Sequence, residues 1–227
     1  ESHCEPCTGG VYCGQPGLTQ PTGPCDGGFY CPSGQQIPNP PGLECPFGYV
    51  CPPGSFAPQV CPSGAWANAS GLTVCTNCPA GYYCDLEDKC DGVNYTRPQD
   101  CPTGHYCPAG TKWPEQYKCP MGTFSNFTNL RSAMECQNCT PGFYCALPGI
   151  TLPTGPCSAA YYCDGGAMTP TEIPCTPGHY CPPGTAVPPP CPAGTFNPRR
   201  YAANVSMCDP CTPGFYCAGE GLFSPTA

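Results

Sequence analysis

Large aliphatic and Phe side chains are scarce: Leu, Ile, Val and Phe together number 27 of 227 residues. One core of that size cannot offset the ordering of the whole chain, at roughly 1–2 kcal/mol per residue for the backbone alone. Basic residues are scarcer still, with 7 Lys and Arg against 15 Asp and Glu, and Arg199-Arg200 is the only basic pair. Nucleic acid and anionic membrane surfaces require clustered positive charge, so neither is expected as a partner. No stretch approaches the roughly 20 apolar residues that cross a bilayer, and no direct membrane insertion is expected in this window. With 3 His and no Gly-rich phosphate loop ahead of a helix, no nucleophile, base and orienter can be assembled. An enzyme is not expected, and neither is a bound cofactor.

What the chain has instead is 26 Cys, 36 Pro and 29 Gly. Cys at that density exceeds the roughly 8–10% that marks a disulfide scaffold, and it points to an oxidising, extracellular setting, secreted or cell-surface. Pro and Gly disfavour long helices and central strands. The expected fold is a tandem of small disulfide-rich modules, with short β-hairpins and turns, little helix, and an elongated rod without a single hydrophobic core.

Repetition is plain. A Cys-x5-Cys unit occurs nine times, from Cys7, Cys25, Cys45, Cys78, Cys101, Cys139, Cys157, Cys175 and Cys211. Its fourth residue is Gly in eight, with Ala160 the exception, and Tyr precedes the second Cys in eight. A Cys-Pro-x-Gly turn often follows, with Pro fixing φ and Gly accepting positive φ. Cys-x2-Cys begins only at Cys4, Cys75, Cys136 and Cys208, at spacings of 71, 61 and 72 residues. These spacings define super-repeats over 1–74, 75–135 (shortened), 136–207 and 208–227. After Cys13 stands GQPGLTQPTGPC and after Cys145 ALPGITLPTGPC, while AGEGLFSPTA follows Cys217. The array is expected to continue beyond Ala227.

Units of about 20 residues need cross-links. Sequence does not fix the connectivity of so many Cys. The expected pairs are Cys61–Cys75, Cys119–Cys136 and Cys191–Cys208, each closing a CPxG loop ahead of a Cys-x2-Cys. The shortened super-repeat holds seven Cys where its neighbours hold eight. If the architecture repeats, Cys90 is free, re-paired, or bonded to another chain.

The segments CPAGTFNPRRYAANVSMCDPCTPGFYC (191–217), CPMGTFSNFTNLRSAMECQNCTPGFYC (119–145) and CPSGAWANASGLTVCTNCPAGYYC (61–84) carry one pattern. It runs Cys-Pro-x-Gly-Thr-Phe, spacer, Cys-x2-Cys-x-x-Gly-x-Tyr, and it resembles the ephrin-receptor-like cysteine-rich repeat. Long arrays of that repeat are typical of large secreted and surface proteins of protists and algae. The resemblance implies disulfide-braced modules with short hairpins and an adhesive or structural role.

Five Asn-x-Ser/Thr acceptors are present, at Asn68, Asn94, Asn126, Asn138 and Asn204. Covalent N-glycans are expected on such loops. Trp66 and Phe124 stand two residues before Asn68 and Asn126, where a ring can cover the first sugar. O-glycans are a further reading for Thr154, Thr169, Thr171 and Ser224 beside Pro, and for the run Pro188 to Pro190. The Cys-x2-Cys pairs lie too far apart for zinc, and no metal site is assigned. The weak calcium candidate is the acidic turn of Asp85, Glu87, Asp88 and Asp91, whose spacing matches no calcium loop. His105 and His179 occupy a slot where Phe or Tyr stands elsewhere and read as structural. One short helix is expected across Asn126 to Glu135. The functional expectation is a glycosylated structural protein of an extracellular fibre, appendage or coat. Its partners would be copies of itself, other extracellular structural proteins, and glycans. The alternative is a receptor or adhesin ectodomain that binds a protein or carbohydrate.

Overall fold

A computed structural model describes residues 5–85 and 97–226. The architecture is a tandem of small two-stranded antiparallel hairpins, each braced by a disulfide. Eight hairpins have two residues per strand. In the first half, β1 (Val11–Tyr12) pairs with β2 (Gly23–Pro24), and β3 (Tyr49–Val50) with β4 (Gln59–Val60). β5 (Ala65–Trp66) then pairs with β6 (Thr76–Asn77), and β7 (Tyr82–Tyr83) with β8 (Gln99–Asp100). Next, β9 (Thr123–Phe124) pairs with β10 (Gln137–Asn138), and β11 (Phe143–Tyr144) with β12 (Gly155–Pro156). Last, β13 (Tyr161–Tyr162) pairs with β14 (Ile173–Pro174), and β15 (Thr195–Phe196) with β16 (Asp209–Pro210). Single antiparallel bridges, Phe29 to Glu44, His105 to Lys118, His179 to Pro190 and Tyr216 to Thr226, complete the same plan in four more units.

Each unit therefore runs as Cys, tight turn, outgoing strand, loop, and a return strand ending at the next unit's first Cys. The turn is closed by an amide donating to the carbonyl three residues back, as from Tyr82 to Pro79 (3.2 Å) and from Phe143 to Thr140 (2.9 Å). Its third residue has positive φ, +84° at Gly142 for example, which an L side chain disfavours and Gly accepts. Ala160 keeps this conformation at +73°. Where Ser or Thr follows the CPxG glycine, its hydroxyl donates to the Pro carbonyl, as at Thr111 to Pro108 and Thr185 to Pro182, both 2.6 Å.

All nine Cys-x5-Cys pairs close on themselves, and the three long loops close as Cys61–Cys75, Cys119–Cys136 and Cys191–Cys208. Every described Cys is thus in a disulfide, and Cys4 and Cys90 lie outside the described residues. The cystines themselves form most of the buried apolar surface, with small clusters such as Phe124, Cys139 and Cys145 backed by Ile150. The aromatic residue before the second Cys packs onto the following unit. Tyr106 lies against Cys119, Leu130 and Cys136, and Tyr144 against Cys157, Cys163 and Ala167.

Consecutive units are joined by a recurring set of four backbone hydrogen bonds. From the Cys157 unit to the Cys175 unit, Ala160 N–H donates to Cys181 O (2.9 Å) and Cys175 N–H to Ala160 O (2.9 Å). Gly184 N–H donates to Cys157 O (2.9 Å) and Cys163 N–H to Thr185 O (3.0 Å). Equivalent bonds recur from Cys7 to Cys25, from Cys25 to Cys45, and from Cys139 to Cys157. The contacts divide the chain into two compact units, one of residues 1–101 and 107–116, the other of 102–106 and 117–227. The expected helix across Asn126 to Glu135 is not formed; only Ala133–Glu135 makes a single 3-10 turn. Backbone in this loop is drawn instead into tertiary bonds, including the parallel bridge of Leu130 to Tyr106, and Asn129 adopts φ +63°.

Candidate functional site

Of the glycan acceptors, Asn68, Asn126, Asn138 and Asn204 are all exposed, and Asn94 lies outside the described residues. All four are placed by the long-loop units. Asn68 and Asn126 follow the outgoing strands β5 and β9, and Asn204 precedes the 3-10 turn Val205–Met207. Asn138 sits in β10 opposite Thr123. At Asn204 the side-chain oxygen accepts from the Ser206 amide (3.1 Å) and from the Ser206 hydroxyl (2.6 Å). The two ends of that acceptor tripeptide are thereby held together in an Asx turn.

The long-loop units hold a feature that spacing alone did not disclose. Six residues after the first Cys, where the other units place their second Cys, stand Ala67, Ser125 and Asn197, each with 0% exposure. At two of them the backbone takes over the missing cysteine's part: Gly104 N–H donates to Ser125 O (2.9 Å) and Gly178 N–H to Asn197 O (2.8 Å). Asn197 also donates from Nδ2 to His179 O and accepts from Arg199 N–H, both at 3.0 Å. Ser125 Oγ accepts from Phe127 N–H at 3.1 Å in the same manner. The signal was present in the aligned CPxG segments, but only the buried position reveals it as a vacated cysteine slot.

The two rings ahead of acceptors differ in placement. Phe124 is only 9% exposed, packed on the Cys139–Cys145 bridge, and is not offered to a sugar on Asn126. Trp66 instead lines an open cleft of about 390 Å³ with Phe47, Pro79, Tyr82, Arg97 and Pro98. Phe47 meets Trp66 edge to face at 6.1 Å, and the Arg97 guanidinium lies 5.5 Å from the Phe47 centroid. That is a cation–π contact, and Arg97 is the one basic residue lining the cleft.

Of the acidic turn only Asp85 is described; Glu87, Asp88 and Asp91 lie outside the described residues. Partial burial, with the Asp85 and Asp100 carboxylates adding to it, pushes the Tyr83 hydroxyl above its ordinary value. Among the described residues, no group of three or more His, Cys, Asp or Glu could hold a metal ion. His105 Nδ1 lies 2.9 Å from Thr103 O, and His179 Nδ1 lies 3.1 Å from Pro177 O. A carbonyl only accepts, so Nδ1 carries the proton in both rings. Both imidazoles thereby brace their own turns. Of the O-glycan candidates, Thr154 accepts from Ala146 N–H (3.0 Å) and Thr169 donates to Glu172 (3.2 Å).

Twelve disulfides among the described residues fit an oxidising, extracellular environment. Among those residues no helix is long and apolar enough to cross a membrane. No protein-family model matches the chain, and no curated protein matches it.

Proposed function

We propose that the chain is a structural segment of a glycosylated extracellular protein, a protomer of a fibre, surface appendage or coat. The observation that carries this reading is the joint between units. It is built from backbone groups at repeating positions and flanked at every step by a cystine. A joint that asks so little of side chains can be repeated many times while sequence drifts between the cysteines. Opening one step leaves both neighbours cross-linked, so resistance to proteases and extraction is the expected behaviour. The exposed acceptors Asn68, Asn126, Asn138 and Asn204 add a glycan sheath to this reading. The ephrin-receptor-like pattern of 61–84, 119–145 and 191–217 agrees with an adhesive or structural role.

The test is electron microscopy of native, unreduced, glycosylated material. Continuous filaments or a coat with a regular axial repeat are expected. Separate particles, or particles tethered to membrane, would instead support the receptor or adhesin reading and end the structural one.

A further inference from the structure

The Phe47–Trp66 cleft departs from the repeat that surrounds it. In the third position of the nine Cys-x5-Cys units, Phe47 is the only aromatic residue; Thr103 and Pro177, for example, stand there elsewhere. In the three long-loop units, Trp66 occupies a place otherwise filled by Phe124 and Phe196. One of only 7 basic residues, Arg97, completes the same cleft. Three departures meeting at one place indicate a site built for a ligand rather than the average packing of a module.

The acceptor Asn68 lies beside it. Ala67 is fully buried, while Trp66 before it is half-buried at the cleft and Asn68 after it is exposed. In extended backbone, residues two apart project to one side about 6.6 Å from each other. A sugar on Asn68 therefore emerges on the face that bears the Trp66 ring. We propose that the cleft binds the first N-acetylglucosamine residues of a glycan carried on Asn68 of the same chain. This rests on the reading that Asn68 is a glycosylated acceptor, and it adds the place where the sugar lies.

The chemistry fits that occupant. A pyranose presents an apolar C–H face, which stacks on the exposed parts of Trp66 and Tyr82. Its rim of hydroxyl and acetamido oxygens can accept from the Arg97 guanidinium. A volume of about 390 Å³ admits such a ring without displacing protein. The covalent tether supplies the affinity that one stacked ring lacks, since a short linker holds its ligand at an effective concentration on the order of millimolar. An outside sugar has no such advantage. Asn126 is the internal contrast, because Phe124, at the place equivalent to Trp66, is buried, and the exposed Phe127 beside Asn126 lines no such cleft.

The test uses the full chain made in a glycosylating host with isotope-labelled sugars. Glycopeptide mapping first reports whether Asn68 is occupied. On the folded protein, the N-acetyl methyl signals of the Asn68-linked core should show an upfield ring-current shift that the Asn126-linked core lacks. Cleavage between the two core sugars by an endoglycosidase should be about tenfold slower at Asn68 than at Asn126. Trp66→Leu should abolish both differences. Phe47→Leu, which leaves β5 untouched, should reduce them and guards against a folding defect in the first variant. An occupied Asn68 with ordinary methyl signals and equal cleavage overturns the cleft proposal and leaves the glycan sheath standing. Differences that persist in both variants overturn it as well. An unoccupied Asn68 overturns the acceptor reading at this site and the proposal with it.

Discussion

Replacing Gly142 by Ala adds a methyl group at one of the close approaches in the joint between units. An ideal Cβ there would lie 2.5 Å from Gly184 O, and the backbone sits at φ +84°. Left-handed backbone alone costs a non-Gly residue roughly 1–2 kcal/mol. The contact adds to this, because Gly184 must move by several tenths of an ångström or more. Gly184 N–H donates to Cys157 O (2.9 Å), and the next residue's carbonyl accepts from Cys163 N–H (3.0 Å). Losing these two bonds at about 1 kcal/mol each brings the total to about 3–4 kcal/mol. Gly34→Ala is the control, at φ +88° with nothing within 4 Å of its added Cβ, so only the backbone part applies. Native-state hydrogen exchange reads both. The amides of Gly184 and Cys163 should exchange about 100–1000-fold faster in Gly142→Ala, whereas Gly34→Ala should accelerate its own neighbourhood about 5–30-fold. Equal effects in the two variants would refute the close approach as a source of stability.

Asn197→Ala should destabilise the Cys191 unit by about 2–3 kcal/mol, since it strips partners from His179 O and Arg199 N–H in a site with 0% exposure. Asn197→Ser, which copies Ser125, should recover part of that in urea unfolding. Removing the Cys119–Cys136 bridge by double Ala substitution should cost about 3 kcal/mol through loop entropy, with the fastest new exchange inside 120–135. The Tyr83 hydroxyl should ionise above its ordinary value in an ultraviolet pH titration. Its folded value is raised above 10.0 by burial first and then by Asp85 and Asp100. Its contribution to stability is therefore complete below pH 10.0 and is lost as pH rises through the folded value. Asp100→Asn should lower the folded value.

The hairpin plan was legible because it is written in local chemistry. Cys-x5-Cys with Gly at the fourth place specifies a turn of positive φ whatever surrounds it, and Ala160 shows the turn surviving without Gly. The joint between units was not legible, because its donors and acceptors are backbone groups that carry no residue signature. The failed helix over Asn126 to Glu135 has the same origin. Leu130 and Met134 stand four residues apart, as on one helix face, but Leu130 is buried beside Cys119 and Cys136 while Met134 is 95% exposed. The residues in the vacated cysteine slot, Ala67, Ser125 and Asn197, share burial but no side-chain chemistry. The aromatic cleft draws Phe47, Trp66, Tyr82 and Arg97 from four separated segments. Only the stacking of one unit on the next brings them together. At Phe124 the same stacking removed a ring that the sequence had offered to a glycan.

The central claim is that each unit is closed by its own cystine, and that no disulfide joins one unit to the next. Mass spectrometry of unreduced proteolytic fragments of the native protein tests it most directly. Nine bridges spanning Cys-x5-Cys and three long ones, Cys61–Cys75, Cys119–Cys136 and Cys191–Cys208, are predicted. A bridge that links the cysteines of two different units would contradict the account.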